Sequence, residues 1–364
     1  MPSPPKAQIP ARAAFLRKPF RLVSLAEQLK LVTRKEGGTP LLPSESMFRF
    51  FRFFPVLFVL GLAPGRALAE PHGKLSIPAS ASSILDNIYS GRRDLALAEV
   101  HQLEQQAPDD PLGYLLEAEA EWWKIWCASA EFKYGMTMAR HHEKVPSDQH
   151  YLDLTAKAYS LAESKLKQHN TGDMHLYAAM ADGLSARLYA LRSEYRASAR
   201  AAVRGRENFL EALALDPTLY DAYSGLGLYN YYVDTLSTLA KALRFLMGIP
   251  GGTKEEGIRQ LRRGIEEGQI SSSLARFYLA INLLNYDQRY EEALQVISPL
   301  AEKYPGNPLF QMMRGDLYAK LGRKQLAETC YRAADQAASD LPEAECRAKI
   351  KLLVRQSLGA LHLA

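Results

Sequence analysis

The sequence predicts an all-α chain: an array of stacked helix-turn-helix units ending in one C-terminal capping helix. Three observations predict it. No stretch sustains the alternation of apolar and polar residues that a half-buried strand needs. Small and apolar residues recur at an interval of 34. Ala293, Ile297, Leu300 and Pro305 are spaced 4, 3 and 5, and Ala327, Tyr331 and Ala334 repeat the first three positions 34 residues on. Finally, Pro and Gly fall where helices should stop, as at Pro217, Pro305 and Gly322.

The first 69 of the 364 residues differ in kind from the rest. They carry eleven Lys and Arg against three acids, +8, and nine of the 20 prolines. The other 295 carry 34 basic against 37 acidic residues, −3, so the overall +5 belongs to the leader. That removes most of the charge argument for a nucleic-acid partner. Within the leader, residues 47–69 read as a secretory signal peptide. Arg49 and Arg52 form the positive start, Phe53 to Ala63 the apolar run, and Ala67-Leu68-Ala69 the cleavage site before Glu70. Eleven apolar residues fall short of the roughly 20 that span a bilayer as a helix. An uncleaved membrane anchor is the alternative. Residues 1–46 read as a disordered or misassigned extension, with Met47 as the true start; a mitochondrial transit peptide ranks second. The expected location is exported, periplasmic or secreted.

The mature chain, 70–341, divides into hairpins at 80–107, 111–168, 172–215, 218–268, 273–304 and 307–339. The segment 342–364 caps the open end, as arrays require. Gly91, Ala96, Val100, Leu103 and Pro108 open the series in the order turn, small, apolar, apolar, Pro. Gly205, Phe209, Ala212 and Pro217 repeat it, followed by Tyr223, Leu226 and Gly227 as the start of a new first helix. Gly315, Tyr318 and Gly322 take the small, aromatic and turn positions of the last unit. The pair Gly225 and Gly227 costs about 1 kcal/mol per glycine in a helix and so signals close helix contact. The fourth unit carries an insert, 234–252, with Leu236, Leu239, Leu243 and Leu246 on one face.

These residues resemble the tetratricopeptide repeat (TPR). The resemblance covers most of 80–340 and implies a right-handed superhelical α-solenoid acting as a non-catalytic binding scaffold. Gly225 to Leu261 is also similar to a membrane-associated branch of that superfamily from outer mitochondrial membranes and lipid droplets. Gly248, Gly251 and Gly257 match its turn, whereas its Phe, Asp and Arg are missing.

First helices line the inner wall of such an array. By register the exposed wall positions are Tyr114, Trp122, Trp123, Asp221, Tyr231, Tyr232, Tyr278, Asn282, Asn285, Tyr286, Met312 and Lys320. Aromatics and amides there suit a protein segment or peptide; the competing expectation makes half of them packing residues. Some peptide-binding members grip a terminal carboxylate with Lys and Asn, but the basic residues that would surround Asn282 are missing. Arg192, Arg196, Arg200 and Arg204 recur every four residues, a possible stripe for an anionic partner. A solvated helix face balanced by Glu194, Glu207 and Glu211 is the preferred expectation. His141, His142, Glu143 and His150 lack the spacing of a metalloprotease helix. No phosphate-loop or nucleophile-elbow pattern occurs, so no catalytic residue, metal or cofactor is assigned. Cys330 and Cys346 would approach if the cap lies on the last hairpin; free buried thiols are expected over a disulfide. A peripheral membrane contact through 234–252 is the alternative function.

Overall fold

The computed structural model describes residues 75–129, 144–246 and 249–363. The extension, the signal segment and His141, His142 and Glu143 lie outside them, as do the side chains of Cys127, Leu239, Leu243 and Leu246. Among the described residues the secondary structure is all helical.

The helices run α1 (Ala79–Tyr89), α2 (Arg93–Gln106), α3 (Pro111–Ser129), α4 (Pro146–Leu166), α5 (Gly172–Leu191), α6 (Tyr195–Leu215) and α7 (Asp221–Thr235). Then follow α8 (Thr238–Leu246), α9 (Lys254–Glu267), α10 (Ser272–Asn282), a π-helical turn (Leu283–Asp287), α11 (Tyr290–Lys303), α12 (Pro308–Lys320), α13 (Lys324–Ser339) and α14 (Ala344–Leu363). Consecutive helices pack on one another along the chain, with α8 standing outside the main series.

The turns explain the period. Gly91, Ser193, Gln288 and Gly322 all have φ between 55° and 77°, and each sits between the two helices of a hairpin. A left-handed residue at that point ends a helix and frees the next amide to reach back. Arg92, Glu194 and Arg323 N–H groups do so, bonding the carbonyls of Asn87, Tyr189 and Tyr318 at 2.9, 2.7 and 2.9 Å. Five residues beyond each turn stands a small side chain: Ala96, Ser198, Ala293 and Ala327. The three alanines have no exposed surface, so the returning helix seats there. Proline and asparagine start other helices. Pro308 takes the first turn of α12, and Asn307 Oδ1 accepts from Leu309 N at 2.9 Å.

Helix α3 is the hub. It contacts α1, α2, α4, α5 and α14, and most of its described side chains are buried. Trp123 makes edge contacts with Tyr89 and Phe310 and a tilted one with Phe277, at 5.6, 5.7 and 5.0 Å between ring centres. The first hairpin thereby meets the fifth and sixth. Polar contacts fasten the same closure: Tyr304 Oη donates to Asp86 Oδ1 at 2.6 Å, and Asn307 Nδ2 to the Tyr89 carbonyl at 2.7 Å.

That closure also changes the cysteine expectation. Cys330 is free and buried, while Cys346 is disulfide-bonded, so the two are not paired and are not both free thiols. Cys346 lines a small cavity with Ile88, Gly91, Trp123 and Asn307. The cap helix turns this face toward α1 and α3.

Candidate functional site

The wall residues fall into two groups. Trp122, Trp123, Asp221, Tyr231, Tyr278, Asn282 and Met312 are buried; Tyr114, Tyr232, Asn285 and Tyr286 are half-buried; Lys320 is exposed. The wall faces packed side chains drawn from several elements: Trp123 meets Tyr89, Phe277 and Phe310, and Trp122 meets Tyr151. Asp221 fixes the turn into α10. Its Oδ1 accepts from the Ile270 and Ser271 amides at 3.0 and 2.8 Å and from Ser271 Oγ at 2.7 Å. Trp122 stacks on Trp126 at 5.5 Å and lies under the Arg187 guanidinium at 4.4 Å.

Tyr231, Tyr232 and Tyr286 do come together, with ring centres 5.7 to 6.3 Å apart. Tyr232 Oη donates to Asn282 Oδ1 at 2.9 Å, and Tyr231 Oη to Asp287 Oδ2 at 2.9 Å. Lys254 Nζ reaches Asp287 at 2.5 Å. The π turn brings Tyr286 and Asp287 into this cluster. Asn282 is 0 % exposed, and its Nδ2 has no partner among the described residues. Burial pushes the Tyr232 phenol well above its usual range, which keeps it a hydrogen-bond donor.

The arginine stripe does not form. Arg192 follows the end of α5, and the left-handed Ser193 separates it from α6, so it does not share a helix face with Arg196, Arg200 and Arg204. Its guanidinium is buried against Asp148, Nε to Oδ2 and Nη2 to Oδ1, both at 2.7 Å. Arg204 is committed to Asp182 at 2.5 Å and lies over the Tyr159 ring. Arg196 and Arg200 are exposed.

Motif and register reasoning misses three glutamates on α3. Glu117, Glu119 and Glu121 are all buried on the hub. Glu121 pairs with Arg93 and Glu119 with Arg187, whose Nε donates to Tyr151 Oη at 2.9 Å. Trp123 Nε1 donates to Glu119 Oε1 at 3.0 Å. Glu117 faces His150 and His101. Glu104 abuts Glu117, and burial first, then that neighbour, pushes its carboxyl up to about 7. Their one signal in the sequence is three acids at alternate positions on an otherwise apolar helix, since buried carboxylates demand partners.

The surface feature is the insert. Phe245, on α8, is 80 % exposed, and Leu236 at the start of the insert is exposed too. The insert is held by bonds within itself and to its hairpin. Asp234 accepts from Lys241 Nζ at 2.6 Å and from the Lys254 amide at 3.0 Å. Tyr229 Oη donates to the Pro250 carbonyl at 2.8 Å, and Arg244 Nη1 to that of Ile249 at 3.0 Å.

No protein-family model matches this chain, and no curated protein matches it.

Proposed function

We propose that this chain is an exported, non-catalytic scaffold of the TPR type, whose partner contact is the 234–252 insert. Its architecture is read as a right-handed α-solenoid of helical hairpins. The left-handed turn at Gln288 and its counterpart at Gly322, 34 residues on, supports that reading. The observation carrying the function is Phe245: a large ring almost wholly in solvent, on a helix within an insert that Asp234 and Pro250 tie to the neighbouring helices. An aromatic anchor seated in a partner's pocket carries much of the energy of such a contact. The non-catalytic reading is supported by where the buried charges go. Glu119, Glu121, Asp148 and Asp221 each serve a neighbouring helix or turn. The bonded Cys346 supports export, because disulfides persist in oxidising compartments.

A membrane surface is the second reading. It is favoured by the absence of any Asp or Glu between Asp234 and Glu255. Against it, Lys241 and Arg244 are both engaged inside the insert and are not free for lipid phosphates. Among the described residues no helix is long and apolar enough to cross a membrane.

Replacing Phe245 with a photoreactive phenylalanine analogue tests the proposal. Irradiation in the producing cell should give one discrete protein adduct, absent when the analogue stands at exposed Leu352 instead. Lipid adducts, or flotation with anionic vesicles abolished by Phe245→Ser, would favour the membrane reading. Identical adducts from both positions would overturn a docking role for the insert.

A further inference from the structure

We propose that His101, Glu104, Glu117 and His150 form a binding site for one divalent transition-metal ion of the zinc type. The site joins three successive helices: His101 and Glu104 come from α2, Glu117 from α3 and His150 from α4. Ligating atoms of His101, Glu104 and Glu117 all lie within 4.8 Å of one another. His150 Nε2 is 3.2 Å from Glu117 Oε1, and His101 Nε2 is 3.7 Å from the same oxygen. Ligands at 2.0–2.2 Å around a tetrahedral Zn²⁺ stand roughly 3.3 Å apart, so His101, Glu104 and Glu117 need only small adjustments, while exposed His150, already beside Glu117, turns in as the fourth. Both imidazoles are more than half exposed and free to make them.

The charges point the same way. Two carboxylates meet here, and among the described residues no Lys or Arg pairs with either. Buried acids normally have such a partner, as Glu119 and Glu121 do one turn or less away. Glu104 Oε1 is buried and has no hydrogen-bond partner, so one carboxylate oxygen is left with nothing to hold. The place for Glu104 is also built in: a Cβ on Gly113 would come within 2.7 Å of the Glu104 Cγ. Two imidazoles with carboxylates select Zn²⁺ or a neighbouring transition ion over Mg²⁺ or Ca²⁺, which prefer all-oxygen sets. His101 and Glu104, three apart on one helix, share a face, as paired ligands must.

The test is Zn²⁺ titrated into the metal-free full chain against a competing chromophoric chelator. The wild type should take up one equivalent more than the double variant His101→Ala/His150→Ala. Each single His variant should weaken that equivalent by about tenfold or more, and His169→Ala should not. Zn²⁺ should raise the thermal unfolding midpoint of the wild type and leave that of the double variant unchanged. Both histidines are exposed, so their loss leaves the fold intact. Glu104→Gln keeps the shape, relieves the carboxylate contact and should still weaken Zn²⁺ uptake. Equal uptake by the wild type and the double variant would overturn the site, leaving the imidazoles as mere neighbours of Glu117. An unchanged affinity in Glu104→Gln would remove Glu104 from the ligand set.

Discussion

Arg192 holds Asp148 with both arms of its guanidinium, 44 residues away in sequence, and the two side chains are 3 % and 8 % exposed. The pair joins the end of α5 to the first turn of α4, where Asp148 Oδ2 also accepts from the Val145 amide at 3.2 Å. Removing one partner of a buried pair strands the other charge without water. Arg192→Ala is therefore expected to cost about 3–5 kcal/mol. Arg192→Lys keeps the charge but loses the fork, and should cost roughly 1–3 kcal/mol. Urea unfolding of both variants checks the order. Equal losses would mean that the charge alone matters.

The crossing of α7 and α9 rests on two glycines. A Cβ on Gly257 would lie 2.7 Å from the Gly227 carbonyl oxygen and from the Tyr231 amide nitrogen, and backbone cannot give way as a side-chain end can. Gly257→Ala should force the helices apart at a cost of about 3 kcal/mol. Gly359 lies inside α14 with nothing within 4 Å of an added Cβ. Gly359→Ala should stabilise by roughly 0.5–1 kcal/mol through helix propensity and a less free unfolded chain. Thermal unfolding of the two variants should shift in opposite directions.

The local features were legible because they obey local rules. Pro108, Pro217 and Pro305 separate hairpins, Gly91 and Gly322 make left-handed turns, and Gly225 and Gly227 mark a close crossing. Register arithmetic also found the cluster of Tyr231, Tyr232, Asn282 and Tyr286. It could not say whether water or protein stands in front of that wall. For the wall as a whole that depends on long-range contacts such as Trp123 to Phe277 and Phe310, whose partners carry no mark in the sequence. The stripe of four arginines failed for a related reason. A spacing of four has meaning only within one helix, and Ser193, a non-glycine residue in a left-handed turn, hid the break.

Asp182 makes the stability depend on pH. Burial raises its pKa from 3.8 to about 6, against the lowering effect of Arg204, and its Oδ2 has no partner. A raised acid pKa means that the folded chain binds the extra proton. This stabilisation is fully present below about pH 4 and is lost as pH rises toward 6. Asp182→Asn keeps a neutral, hydrogen-bonding side chain at every pH. It should gain about 1–2 kcal/mol over the wild type above pH 6.5, after allowance for screening of the half-exposed Arg204. Below pH 4 the two should be equal. A constant difference across that range would show that Asp182 stays ionised in the fold.

Cys346 and Cys330 should respond differently to reduction. Cys346 is bonded and lines a cavity with Ile88, Trp123 and Asn307, so its bond restrains the cap helix. Cross-links of this kind stabilise by about 2–4 kcal/mol, chiefly by restricting the unfolded chain. Cys346→Ser should lower stability by that amount and make it insensitive to added reductant. Cys330 is a free buried thiol with its pKa raised by burial. Cys330→Ser should leave the reductant sensitivity intact, with only the modest cost of placing a hydroxyl in an apolar site. Unfolding of the three proteins with and without reductant distinguishes them. A reductant effect that follows Cys330 would reverse the pairing.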